Sequence, residues 1–204
     1  MEDKRIIDYI KEIHNIAKSK GWWEKPIKIE DLILLSNCEL SEAVEELRKG
    51  HSPNHVYYSG IMEPDGIVNN NKPEGFPIEI SDILIRVFDY LGYVYETKAL
   101  SDIGHHNSGL LFYSFDEIIE NNFEETFKKV LDIYTLDERY HGDINQKLYY
   151  LGKELFKVEK YQDLVKVIVL ILNLDYRFTL DLEDAMKIKI EFNRTRPYRH
   201  GKRF

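Results

Sequence analysis

The 204-residue chain has a net charge of −8 and is 43% hydrophobic and 31% charged, which excludes a disordered chain and argues against general nucleic-acid binding. Its longest dense apolar run, residues 164–174, is broken by Lys166 and Asn173 and is too short to cross a bilayer. Cys38 is the single cysteine, which excludes an intrachain disulfide and a multi-thiolate zinc site. The first residues enter a helical pattern with no apolar leader, so a cytoplasmic protein is expected.

Ile6, Ile7, Ile10, Ile13, Ile16 and Ala17 recur at helical spacing and predict a helix over 3–20, closed by Gly21. A loop with Trp22, Trp23 and Pro26 follows. A second helix is expected over 29–49, with Leu32, Leu35, Leu40, Ala43, Val44 and Leu47 as its apolar face and Gly50 as its stop. Cys38, inside it, reads as a small core residue. Residues 51–75 contain Pro53, Pro64, Asp65-Gly66, a run of asparagines and Pro73, and read as a loop long enough to be a functional flap.

Pro77 suits the first turn of a third helix, continued by Ile80, Ile83, Leu84, Val87, Phe88 and Leu91 to about residue 97. Beyond a loop rich in Gly, His and Asn, helical patterns span 115–134, 142–159, 161–176 and 180–195. The β-branched run 165–171 has the composition of a buried strand as well, but helix is preferred. With no alternating strand in view, the expected fold is all-α. His14, His105 and His106 show no ligand spacing and read as surface residues.

On a helix turning by roughly 100° per residue, Glu39, Glu42 and Glu46 fall within about 60° of one another beside the apolar stripe of the second helix. Glu79 and Asp82 stand in the same relation to the stripe of the third. Packing the stripes together brings both acidic edges to one rim. Clustered carboxylates repel unless a cation sits among them, and magnesium is the natural occupant because it takes carboxylate oxygens and bridges acids to substrate phosphates. Against this, a Glu-rich helix commonly has only a solvated face.

The Glu39-x-x-Glu42 and Glu79-x-x-Asp82 pair resembles the signature of the MazG-like family of the all-α NTP pyrophosphatase superfamily, which also contains the dimeric dUTPases. Three blocks carry the resemblance: LLSNCELSEA at 34–43, KPEGFPIEISD at 72–82 and KIEFNRTRPYRHGK at 189–202, with Lys20-Gly21-Trp22 matching the family's first loop. It implies a MazG-like helical bundle in which Glu39, Glu42, Glu79 and Asp82 hold Mg2+, or Mn2+ in its place, while Lys189, Asn193 and Arg196 contact a triphosphate. It also implies a homodimer.

The likeness covers 1–97 and 178–204 as a catalytic core within one domain of 1–204, leaving 98–177 as a helical insertion. The linker from Glu42 to Glu79 is longer than the family's usual one. Within the insertion, 148–155 echo 33–40 and 163–167 echo 82–86, either as a degenerate second repeat, which would permit a monomer, or as the chance similarity that apolar periodicity generates between amphipathic helices. Glu154 then matches Glu39 and Asp163 matches Asp82, but Lys157 and Lys160 replace Glu42 and Glu79.

The expected activity is therefore Mg-dependent hydrolysis of a (d)NTP to (d)NMP and pyrophosphate, as in house-cleaning of a nucleotide pool, with Glu42 or Glu46 as general base for the attacking water. Trp22 and Trp23 are candidates for base stacking, although a tryptophan beside a helix end is more often a core lid. The alternatives are a non-catalytic helical module that binds a nucleotide or a partner protein, and a nucleic-acid binder working through the basic tail around Arg199, His200, Lys202 and Arg203.

Overall fold

A computed structural model of the chain describes residues 4–62, 68–97, 125 and 142–201. Among them are six α-helices: α1 (Ile6–Ser19), α2 (Ile29–Arg48), α3 (Phe76–Glu96), α4 (Ile144–Leu155), α5 (Leu164–Phe178) and α6 (Leu182–Thr195). Single 3-10 turns cover Tyr161–Asp163 and Tyr198–Gly201. The described part is thus mostly helical, as the apolar periodicity predicts. The expected helix at 115–134 lies outside the described residues, save for residue 125. So do His105, His106, Lys202 and Arg203.

One expectation fails. Between α2 and α3 the chain forms an antiparallel pair, β1 (Tyr57–Met62) with β2 (Val68–Glu74), where a loop was expected. Aromatic and β-branched residues at 56–58, 61 and 68, placed either side of Asp65-Gly66, are the hairpin signal that the prolines and asparagines obscured. Pro73 is tolerated because the sheet has only two strands, so its missing N–H can face away from the ladder.

Helix α3 is the centre of the fold and packs against α1, α2, α5 and α6. Ile78, Ile80, Ile83, Leu84, Val87 and Phe88 on it are all fully buried, so it is apolar nearly all round, as expected of a helix enclosed by others. Its start is set by Gly75, at φ 117°, whose absent Cβ would lie 2.1 Å from the His55 carbonyl oxygen. Only glycine satisfies both the dihedral and the approach. At α4, Asp143 and Gln146 form a reciprocal capping box. The run 165–171 lies inside α5 as helix.

One hydrophobic cluster joins α1, α2 and α3 to α4, α5 and α6. Within it α4 packs on α2, and α5 on α3. The echo of 33–40 in 148–155 is matched in burial position by position: Leu34 and Tyr149 are exposed, Ser36 and Leu151 are buried, and Leu40 and Leu155 are buried. The exception is Glu39, buried where Glu154 is half-buried. Gly152 sits directly against Leu40 and near its own counterpart Asn37. No described helix is long and apolar enough to cross a membrane.

Two smaller expectations also change. Cys38 is exposed, because the buried stripe of α2 runs through Ser36, Glu39 and Leu40 and leaves position 38 on the outer side. His14 is buried, not superficial: it lies on the α3-facing side of α1 and meets Asp89 there.

Candidate functional site

A cavity of about 430 Å³ opens between α1, α2, α3 and α6, within the size range of small-molecule sites. The α2–α3 packing turns Glu39, Glu42 and Glu79 toward one another, so that one ligand oxygen from each lies within 4.8 Å of the others. Asp82 follows one turn after Glu79 and lines the same cavity. Lys189 and Asn193, one turn apart on α6, face it from the opposite side, with Arg196 just beyond the helix end.

The electrostatics are those of acids crowded out of water. Burial, followed by the neighbouring charge of Asp82, pushes the Glu79 carboxyl up to about 8, and Glu42 and Glu39 push the same way against the pull of Lys189. Asp82 is also raised by burial, although Lys189 draws it back. The Lys189 ammonium reaches Asp82 Oδ2 at 2.6 Å. Burial disfavours its charge, but Asp82 and Glu79 hold it above the ordinary lysine range. Arg86 donates from Nε to Glu39 Oε1 at 3.0 Å and again from its terminal nitrogen. Asn193 Oδ1 is buried on the cavity wall with no hydrogen-bond partner among the described residues. A buried polar atom in that condition marks a place for a ligand or water.

The donor set suits a hard divalent cation. It consists of carboxylate oxygens alone, close enough to share one ion and flanked by cations able to meet substrate phosphates. The chain thus brings together Glu39, Glu42, Glu79, Asp82, Lys189, Asn193 and Arg196.

It does not bring in Glu46 or Trp23. Glu46 is buried at the foot of the hairpin, where it accepts from Lys49 at 2.6 Å and Tyr57 at 3.3 Å and pairs with His51 at 2.7 Å. One turn after Glu42 it has rotated past the rim, and its place is to anchor β1. Trp23 donates from Nε1 to Asp89 at 2.7 Å and stacks on Tyr93 with ring centroids 4.6 Å apart, so it is a lid on the core. Its neighbour Trp22 lines the cavity instead.

Four charged lining residues were given no site role by the sequence reading: Lys20, Lys72, Arg86 and Asp89. Arg86 and Asp89 had a findable signal, since they continue the Glu79–Asp82 face of α3 at helical spacing. Lys72 arrives from β2, which the loop reading hid. Within the basic tail, Tyr198 and Arg199 are held against the loop after α1. Arg199 Nε donates to the Gly21 carbonyl at 3.1 Å and its guanidinium pairs with Glu24 at 2.7 Å. The Tyr198 ring lies across Gly21, at φ 79°, where any Cβ would strike it.

No protein-family model, curated protein or solved structure matches this chain, so the ground for a functional reading is the geometry of its own residues.

Proposed function

We propose that the protein is a magnesium-dependent nucleoside triphosphate pyrophosphohydrolase of the MazG-like kind, converting a (d)NTP and water to (d)NMP and pyrophosphate. One observation carries the reading: a single cavity has three mutually close carboxylates on one wall and Lys189, Asn193 and Arg196 on another. Held by Glu39, Glu42 and Glu79 with Asp82, Mg2+ would neutralise triphosphate oxygens and polarise the phosphorus under attack.

The chain's own groups have separable tasks. Arg86 fixes the Glu39 carboxylate through two donors on one oxygen, a pre-organised geometry that a flexible glutamate lacks by itself. Glu42 is exposed at the rim and is hydrogen-bonded to no described side chain. It is the group left to accept a proton from water as that water's oxygen bonds to the α-phosphorus and the bond to the departing pyrophosphate breaks. Lys189, held by Asp82, and Arg196 offset the charge developing on pyrophosphate, and Asn193 adds a neutral contact. Glu46, outside the cavity, takes no part in this chemistry and steadies the hairpin.

The α4–α5 pair fits a structural second repeat. Glu154 pairs with Lys157 at 2.6 Å, and Asp163 accepts from the backbone N–H groups of Glu159 and Lys160. On this reading each chain has one competent metal site. Like packing on like within one chain mimics the two-subunit packing of short family members, and a cytoplasmic homodimer remains the expected assembly.

Purified protein should release pyrophosphate from at least one canonical, deoxy or damaged NTP only when Mg2+ or Mn2+ is supplied. The internal pairing of Glu39 with Arg86 and Asp82 with Lys189 favours one second reading, a non-catalytic nucleotide-binding module. That reading predicts nucleotide binding without pyrophosphate release.

A further inference from the structure

The cavity is chemically lopsided along α3. Its carboxylate rim spans α2 and the first turns of α3, with Lys189 and Arg196 at α6, whereas α1 lines it with Ile13, Ile16 and Ala17 before Lys20, whose ammonium donates to the Arg194 carbonyl. These α1 residues lie level with the far part of α3, because His14 Nδ1 meets Asp89 Oδ1 at 2.8 Å and packs against Gly92. Asp89 is the polar group at that apolar end. It lies two helical turns, about 10 Å, beyond Asp82.

Asp89 is only 17% exposed, yet it lines the cavity. Its Oδ1 is occupied twice, by His14 and by the indole N–H of Trp23 at 2.7 Å. An indole N–H can only donate, so Oδ1 is fixed as an acceptor. Trp23 is itself immobilised against Tyr93 and His14. Oδ2 is left with no hydrogen-bond partner among the described residues. An acceptor oxygen held rigidly on the cavity wall beside an apolar slot is a recognition element, since a ligand donor that meets it gains a fixed hydrogen bond and a group that cannot must strip it of water.

We propose that this end of the cavity receives the nucleobase and that Asp89 Oδ2 selects bases carrying an exocyclic amino group, an inference that rests on the nucleotide reading above. With the triphosphate at the carboxylate rim, a sugar and base extend along α3 toward Asp89, and Ile13, Ile16 and Trp22 cover the base faces. A carboxylate accepts and does not donate, so it matches the amine of cytosine or adenine. Uracil and thymine carry carbonyl oxygens at the corresponding edge, which a carboxylate repels. Oδ1 is already engaged, so guanine gains one hydrogen bond here and not the bidentate pair that a free carboxylate gives.

The test compares kcat/KM for pyrophosphate release from dCTP against dUTP, and from dATP against dITP, in the wild type and in Asp89→Asn. Each pair exchanges an amine for a carbonyl, and a ratio within one preparation does not depend on the fraction folded. The wild type is expected to favour the amino member of each pair by about tenfold or more. Asp89→Asn, which can keep an oxygen on His14 and Trp23 while turning an amide N–H₂ toward the base, is expected to collapse or invert both ratios.

Equal turnover, a wild-type preference for uracil, or ratios unchanged by Asp89→Asn would overturn the proposal while leaving the hydrolase reading intact. If no triphosphate is cleaved, the hydrolase reading fails alone, and calorimetric binding of CMP against UMP decides. Tighter CMP binding that is lost in Asp89→Asn supports base selection, and equal binding overturns it.

Discussion

Helices α2 and α4 share a pattern of buried and exposed positions, and the α2–α3 and α4–α5 pairs pack on one another and differ in how they handle their acids. In the first pair Glu39, Glu42 and Glu79 converge with Asp82 on a cavity, where burial and neighbouring charge oppose ionisation of Glu79. In the second, lysines stand at the positions of Glu42 and Glu79, Glu154 is neutralised on the surface, and Asp163 serves as a turn cap. On the proposed repeat reading, the second pair keeps its packing function with its acids replaced. Acids clustered against a core cost stability, and a bound cation would offset that cost.

The largest expected effect breaks the comparison at its ligands. Glu79→Gln should lower pyrophosphate release by about a thousandfold, on the scale of removing a key electrostatic group, whereas Glu154→Gln in the echo should leave it unchanged. Parallel assays at saturating Mg2+ would show whether the two pairs differ in this way.

Removing the metal should expose the cost of the crowded acids. With its carboxyl moved from 4.5 to about 8 by burial, Glu79 in the folded protein holds a proton that the unfolded chain has already released. Stability of the metal-free protein should therefore fall as pH rises through that window, by about 2–4 kcal/mol, and be flat below it. Added Mg2+ should restore stability most strongly at the upper end. Urea melts at pH 5 and pH 8, with and without Mg2+, measure both effects, and Glu79→Gln should remove most of the pH dependence.

The contact between the two pairs can be tested by size. Gly152→Val would put side-chain atoms into Leu40, whose Cδ2 already lies 3.0 Å from an added Cβ, and should cost about 1–3 kcal/mol in thermal or chemical melts. Smallest is the effect of Glu46→Gln. Exchanging one acceptor at the foot of the hairpin for an amide should cost about 1 kcal/mol and raise KM more than it lowers kcat.

Helix placement and the acidic rim were legible in the sequence because both rest on local periodicity. The apolar stripe of α3 and the turn-related Glu79 and Asp82 follow from 3.6 residues per turn, and no tertiary knowledge is needed to put them on one edge. The β1–β2 hairpin was obscured because Pro64, Pro73 and the asparagines are turn formers, while a two-stranded ladder tolerates them.

Glu46 and Trp23 were misplaced for another reason. Both are near the right helix ends, but a turn of rotation and the partners His51, Tyr57 and Asp89 decide where they point. Asp89 is distant in sequence from Trp23, Tyr57 arrives from an unpredicted strand, and His51 lies in the turn after α2. Asp89 was legible as a continuation of the Glu79–Asp82 face, but its pairing with His14 and Trp23 depends on α1 being laid against α3.

The central claim is that the rim of Glu39, Glu42, Glu79 and Asp82 works as one metal-dependent hydrolytic site. Pyrophosphate release from an NTP panel, titrated with Mg2+ in wild type and Glu79→Gln, tests it most directly. Release that saturates with Mg2+ and is lost in Glu79→Gln is predicted; folded wild-type protein that binds Mg2+ and nucleotide yet releases no pyrophosphate would contradict it.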